Sequence, residues 1–328
     1  MNVLTWHVHG SYLYYLAHAP HDFYVPVREG RPEGYGGRTP GFPWPANLHE
    51  VHADAVKNLP LDCVIFQSRR NYLEDQHEIL SDEQRRLPRL YIEHDPPREH
   101  PTDTRHVVDD PNVLLVHVTS FNNLMWDSGR TPTLVIEHGV VVPDDVEYRG
   151  DLERGLVVVN GLARRGRRLG ADIFLRLRDE VPLDLVGMLS EEAGGLGEVS
   201  HADLPAFESR YRFFFTPIRY TSLGLAVCEA MMLGLPIVGL ATTEMSVVVE
   251  NGVSGFVDTE PSRLAERMRE LIREPALARR LGAGARRSAR DRFGIRRFAL
   301  DWDRAITLAA GRATTGAATA PAPTGGTA

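Results

Sequence analysis

The chain has 328 residues, 43% of them hydrophobic and 25% charged, with a formal net charge of −7. Its length exceeds one comfortable hydrophobic core, so two domains are expected in an ordinary globular composition. The acidic balance, without any accumulating basic stripe, excludes nucleic acid as the expected partner, and no apolar run reaches the roughly 18 residues of a membrane span.

The N-terminus enters an apolar strand directly, without the basic region or cleavage site of a signal peptide, which predicts a cytoplasmic protein. In the first half, strands are expected at Val3–Val8, Asp62–Phe66, Arg89–Glu93, Val113–Val118 and Thr133–Glu137. The first ends in His9-Gly10-Ser11 and opens an aromatic helix, Tyr12–His18. Arg28–Pro45 is dense in glycine and proline and carries Tyr35, Phe42 and Trp44, so it cannot be regular helix or sheet. It reads either as a surface excursion or as a loop whose aromatics stack on a ligand. His49-Glu50-Val51-His52 has one residue too few for the H-E-x-x-H zinc motif and is read as a helix surface.

After a Pro-containing acidic linker, Val142–Leu152, a second strand–helix alternation begins. It runs through strand Gly155–Val159, helix Ala171–Glu180, strand Leu183–Val186 and helix Leu204–Tyr211. Strands alternating with helices in this way predict parallel sheets covered on both faces. Helices are also expected at Arg263–Arg273, Ala276–Arg292 and Ile295–Ala309. Residues 311–328 hold only Gly, Ala, Thr and Pro beyond Arg312 and read as a disordered tail. Cys63 and Cys228 both sit in apolar runs, as small buried hydrophobes of a reducing compartment do. His7 and His9 alternate on one strand face but lack a third ligand, so no metal site is expected.

The densest signal lies in residues 213–257. An apolar strand, Phe213–Thr216, runs into the loop Pro217–Gly224; a nearly pure apolar helix follows, Leu225–Leu233, ended by Gly234, then strand Pro236–Gly239. Glu229 interrupts that helix, and a carboxylate there is costly unless something hydrogen-bonds to it. A glycine at the helix entrance leaves amides that an anion can approach. A phosphate-bearing ligand with hydroxyls, a nucleotide, fits both features.

Leu223-Gly224-Leu225, Glu229-Ala230-Met231, Gly234-x-Pro236 and Glu250-Asn251-Gly252-x-x-Gly255 stand in the register of a known motif. This stretch resembles the donor-binding segment of the retaining glycosyltransferases of GT-B fold, family four. The resemblance is strong over about 155–310 and weak over 1–150. It implies two Rossmann-like domains, 1–142 on the acceptor side and 153–292 on the donor side, with a helix at 293–310 crossing back to the first. It implies metal-independent transfer of a sugar, with retention, from a nucleoside diphosphate-sugar to a glycan, lipid-linked or small-molecule acceptor. No other cofactor is implied, and a lipid-linked acceptor would draw the protein to a membrane surface.

By the same resemblance, Glu229 lies by the ribose, and the helix entrance Leu223, Gly224 and Leu225 lies by the diphosphate. Gly10 approaches the pyrophosphate across the cleft, and Gly187 lets the base approach the backbone. Arg164, Arg165, Arg167 and Arg168 read together as a phosphate clamp, with Arg167 at the offset of a family lysine and Arg164 or Arg165 as the alternatives for that role. Thr221 stands where the family has a glutamate beside the transferred sugar. Gln67 stands at the usual position of an active-site histidine, and His94 matches a second, more variable one. His138 reads as a structural residue of the hinge. These departures leave a second reading, a non-catalytic partner that binds nucleotide-sugar or glycan. An epimerase of the same fold is the third. A nicotinamide dehydrogenase is disfavoured, because no strand runs into G-x-G-x-x-G.

Overall fold

The computed structural model describes residues 1–317. Two all-parallel sheets form. The first comprises β1 (Asn2–Thr5), β2 (Asp22–Val27), β3 (Leu48–His52), β4 (Cys63–Phe66), β5 (Arg89–Glu93), β6 (Val113–His117) and β7 (Thr133–Val135), in the order β3-β2-β1-β4-β5-β6-β7. The second comprises β8 (Leu152–Val158), β9 (Leu183–Val186), β10 (Tyr211–Thr216), β11 (Ile237–Leu240) and β12 (Gly255–Asp258), in the order β12-β11-β10-β8-β9. Central strands buried on both faces explain the continuous apolar runs; every residue of β4, β6 and β10 is buried.

Strand order reverses between β1 and β4 in the first sheet and between β8 and β10 in the second. At such switch points the loops leaving the carboxyl ends of the strands part and open a crevice for a ligand. The segments that follow β1, β8 and β10 carry His9 and Gly10, the arginine cluster, and Thr221 to Gly224 respectively. One apolar cluster is continuous through both halves, from Leu13 and Phe23 to Met231 and Trp302. The last helix, Ile295–Ala317, buries Phe298, Trp302 and Ile306. Its Phe298 ring meets Tyr12 of the first half at 5.8 Å, and its Arg297 donates to the carbonyls of Glu137 and His138.

Three readings are corrected. His49–His52 is no helix surface but most of edge strand β3, where exposed and half-buried residues alternate and charges blunt the open edge. Strand β2, unforeseen because it contains Pro26, pairs with β1 only through Tyr24 and continues along β3 through Val27. The final helix runs to Ala317, seven residues into the segment whose composition suggested disorder from residue 311. The remainder of that tail, 318–328, lies outside the described residues.

Candidate functional site

The second-half wall of the cleft is built on the Leu225–Leu233 helix. Gly224 precedes it in extended backbone (φ −74°, ψ 139°), and no side chain caps it. A Cβ at Gly224 would meet nothing within 4 Å, so the helix entrance has room around Gly224, and the first amides have no intrahelical partner. The helix is held from behind by Gly282, whose added Cβ would lie 2.0 Å from the Gly234 carbonyl. Beside it, Gly187 after β9 has φ +130°, and a Cβ there would lie 2.8 Å from Asn160 Oδ1, which bonds the Met188 amide.

Glu229 points off this helix toward the first half. Its side chain is 12% exposed, and Tyr15 Oη donates to Oε1 at 2.6 Å across the cleft. Burial raises the Glu229 pKa, and the Tyr15 hydrogen bond works against that rise. Burial, then the Glu229 charge, pushes the Tyr15 phenol well up, so the proton stays on the phenol. His201 Nε2 stands 3.4 Å from Tyr15 Oη and 3.9 Å from Glu229 Oε1, and burial lowers its pKa. Nearby Glu208 is buried, one of its oxygens unpartnered; burial, then the Glu229 charge, raises its pKa well above the usual carboxylate range. The His201 ring also packs on Phe42 (4.6 Å) and Tyr14 (5.9 Å), which brings the glycine-rich loop of the first half to the same place.

The arginine cluster lies within a helix, Leu162–Leu169, broken at Gly166 (φ 58°, ψ −141°). The break sends its four guanidinium groups different ways. Arg164 pairs with Glu192 at 2.5 Å, and Arg167, 77% exposed, pairs with Asp172 at 2.7 Å. Among the described residues, the Arg165 and Arg168 guanidinium groups have no hydrogen-bond or ion-pair partner. Arg165 feels Arg168 beside it and Asp95 and Arg98 across the cleft; burial, then Arg168, lowers its pKa. Two adjacent cations without a counterion make a place for an anion.

The first-half wall is a set of strand-end side chains. His94, after β5, packs edge-on against His9 (4.5 Å) and Tyr12 (4.7 Å), and its Nε2 lies 3.3 Å from Gln67 Oε1. Gln67 is buried and donates to Thr5 Oγ1 at 2.9 Å and the Trp6 carbonyl at 2.8 Å. Burial holds His94 well below the usual imidazole range and lowers His9 as well, so both are neutral at pH 7. Gly10 opens the Gly10–Leu16 helix, 3.2 Å from His7 Nε2 as measured from an added Cβ. Thr221 Oγ1 donates to Asp95 Oδ1 at 3.2 Å, and Tyr220 Oη to the Pro97 carbonyl at 2.9 Å, so β10's loop closes on the end of β5. His138 Nε2 donates to the Leu223 carbonyl at 2.8 Å, fixing the helix entrance from the hinge. Among the described residues, no group of three or more His, Cys, Asp or Glu side chains could hold a metal ion.

The fold thus gathers Gly10, His94, Arg165, Thr221, Gly224 and Glu229 around one cleft and turns Arg164 and Arg167 to carboxylates on its outer side. Sequence reasoning missed Tyr15, His201 and Asp95. Asp95 adjoins His94 at a strand end, a signal that was available; Tyr15 was hidden in an aromatic helix that reads as core.

The family model described as glycosyl transferases group 1 matches residues 188–288. The D-inositol 3-phosphate glycosyltransferase of Nocardioides sp. (strain ATCC BAA-499 / JS614) is 32% identical over 117 residues, which are 35% of this chain and 26% of that protein. The sucrose-phosphate synthase of Thermosynechococcus elongatus superposes with a TM-score of 0.68 at 15% identity, over 94% of this chain and 98% of that one. A glycosyltransferase from Rickettsia africae ESF-5 gives 0.67 at 13% identity over 94% and 98%. Anabaena HepE, solved in complex with UDP, gives 0.65 at 16% over 95% and 99%. At these identities the solved structures speak for the fold alone, while the family match falls on the segment that holds Gly224 and Glu229. Residues 188–288 therefore resemble a glycosyl transferases group 1 domain, within a chain of GT-B fold.

Proposed function

We propose that the protein transfers a glycosyl group from a nucleoside diphosphate-sugar to a hydroxyl acceptor, with retention and without a metal. The observation that carries this reading is Glu229: a buried carboxylate, one helical turn inside an uncapped glycine entrance, in the group 1 domain. A diphosphate against the amides of Leu225 and Ala226 would place its ribose hydroxyls on Glu229. Tyr15 holds that position now, so the ribose must displace it and the two walls must part to admit the donor. Arg165 and Arg168, neither held in an ion pair among the described residues, would take the charge that a metal carries elsewhere.

In the reaction the bond from the anomeric carbon to the β-phosphate oxygen breaks, and its electron pair leaves with the phosphate. The acceptor oxygen bonds to the same face of the carbon, and its proton passes to the departing phosphate. Neutral His94 and Gln67 bring no charge to the sugar. The acceptor is a glycan, a lipid-linked sugar or a small molecule. The buried thiols of Cys63 and Cys228 support a reducing, cytoplasmic setting. Among the described residues, no helix is long and apolar enough to cross a membrane.

The test is calorimetry with UDP, GDP, ADP and their glucose conjugates. One diphosphate is expected to bind, and Glu229→Ala to weaken it by about 1.5–3 kcal/mol, or roughly 10- to 150-fold. No binding to any of them would reject the donor site. Turnover unchanged by chelator and an NMR coupling that matches donor and product anomers would support the metal-free and retaining parts; an inverted product would overturn retention. Thr221 favours the second reading, a non-catalytic nucleotide-sugar binder, which predicts binding without release of diphosphate in the presence of any acceptor.

A further inference from the structure

The charges around the cleft are unevenly shared. Arg165, Arg168 and Arg98 supply positive charge, His9 and His94 are neutral, and the loop after β10 brings the Thr221 hydroxyl but no carboxylate. A glycosyl transfer that stretches the anomeric bond builds positive charge on the sugar ring as well as negative charge on the phosphate. Arginines serve the second need and oppose the first.

One carboxylate faces this group of residues. Asp95 Oδ1 accepts from Thr221 at 3.2 Å, across the cleft, and Oδ2 pairs with Arg98. Its charge is felt at both His9 and Arg165. The backbone under it is anchored on both sides: Trp126 Nε1 donates to the Asp95 carbonyl at 2.8 Å, and the Asp95 amide donates to Glu93 Oε1 at 2.9 Å. The side chain is 26% exposed, so lone pairs remain for hydroxyls beyond the two partners it has.

We propose that Asp95 is the sugar-facing carboxylate of the site: it is delivered from the first half onto Thr221, accepts hydrogen bonds from hydroxyls of the transferred sugar, and offsets the positive charge that develops on its ring. The inference rests on the transferase reading above and names the group that makes it work on this chain. Thr221 is then a positioning residue that holds Asp95 only when the halves are together. Closure over the donor and assembly of the negative charge become one event.

The experiment compares wild type, Asp95→Asn and Thr221→Val. Each is measured against whichever of UDP, GDP or ADP binds wild type and against its glucose conjugate, with thermal melting to verify folding. Asp95→Asn is expected to keep the affinity for the free diphosphate within twofold. It should lose whatever affinity the glucose moiety adds and slow donor cleavage on the order of 100-fold. Thr221→Val should lose roughly tenfold in cleavage with the same unchanged diphosphate affinity; it keeps the test open should Asp95→Asn misfold. Grafting a carboxylate at the point Thr221 occupies, as Thr221→Glu in the Asp95→Asn protein, should restore at least tenfold. Cleavage within threefold of wild type in Asp95→Asn would overturn the proposal, as would a loss of free-diphosphate affinity as large as the loss of cleavage, or no restoration by the graft. If wild type itself binds none of the three diphosphates, the transferase reading fails first, and that outcome is distinct from a wild type that binds and an Asp95→Asn that behaves like it.

Discussion

The two walls of the cleft do different work with different materials. The second-half wall presents mainly backbone: an uncapped helix entrance at Gly224, a positive-φ glycine at 187, and one carboxylate, Glu229, inside an apolar helix. The first-half wall presents side chains at strand ends: His9, Gln67, His94 and Asp95. Twelve of the thirteen histidines lie at or before His138, while the unpaired guanidinium groups of Arg165 and Arg168 belong to the second half. Backbone amides and arginines stay charged or polarised at any working pH, so they suit the fixed phosphates of a donor. Imidazoles and amides adapt to differing hydroxyls, which is what a varied sugar or acceptor needs.

That division can be broken first at the arginines. Arg165→Ala is expected to lower turnover about 100-fold, whereas Arg167→Ala, whose partner is Asp172, should change it less than threefold. Steady-state kinetics on both variants decides it: equal losses would mean that Arg167 swings inward on donor binding and that the static pairing is misleading.

Acid should then separate the halves. His117 is fully buried with neither ring nitrogen hydrogen-bonded, and burial pulls its pKa down to about 3. His138 is pulled down to about 4 for the same reason. Between pH about 6.5 and these values the unfolded chain takes up protons that the folded one refuses, so stability falls as pH falls through that window. His117→Leu, which removes one such group, should flatten the slope by roughly 1 kcal/mol per pH unit in denaturant titrations at pH 7, 6 and 5, approaching about 1.4 at the acid end. A slope identical to wild type would show that the imidazole is solvated or paired in solution.

The smallest effect, and the one whose sign is most telling, concerns the contact that now joins the walls. Tyr15→Phe vacates Glu229 without touching the helix, so free diphosphate should bind roughly three- to tenfold tighter by calorimetry. Weaker binding would mean that Tyr15 orients the carboxylate for the ribose and stays in place beside it.

The second-half wall was legible because its determinants are local. Gly224, the apolar run with one glutamate, and Gly234 sit within a single loop-helix-turn unit, where spacing along the chain is spacing in space. The strand–helix alternation likewise announced parallel sheets. Strand β2 was illegible because Pro26 argues against a strand unless the pairing with β1 is known to end at Tyr24, and β3 because four residues of alternating exposure resemble a helix surface when no partner strand is in view. The arginine cluster shows the same limit within one helix: four similar residues were read as one clamp, and the tertiary structure sorts them into two that hold ion pairs and two that do not.

By itself the sequence determined two α/β halves, a group 1 segment with its glycines, and a buried carboxylate in need of a partner, since periodicity and short motifs survive projection onto a line. Only the tertiary structure decided that the partner is Tyr15, more than two hundred residues away, that Thr221 meets Asp95, and that Arg165 rather than Arg167 looks into the cleft. Those pairings depend on how two sheets face one another, and the distances that make a hydrogen bond across that gap leave no trace in local spacing.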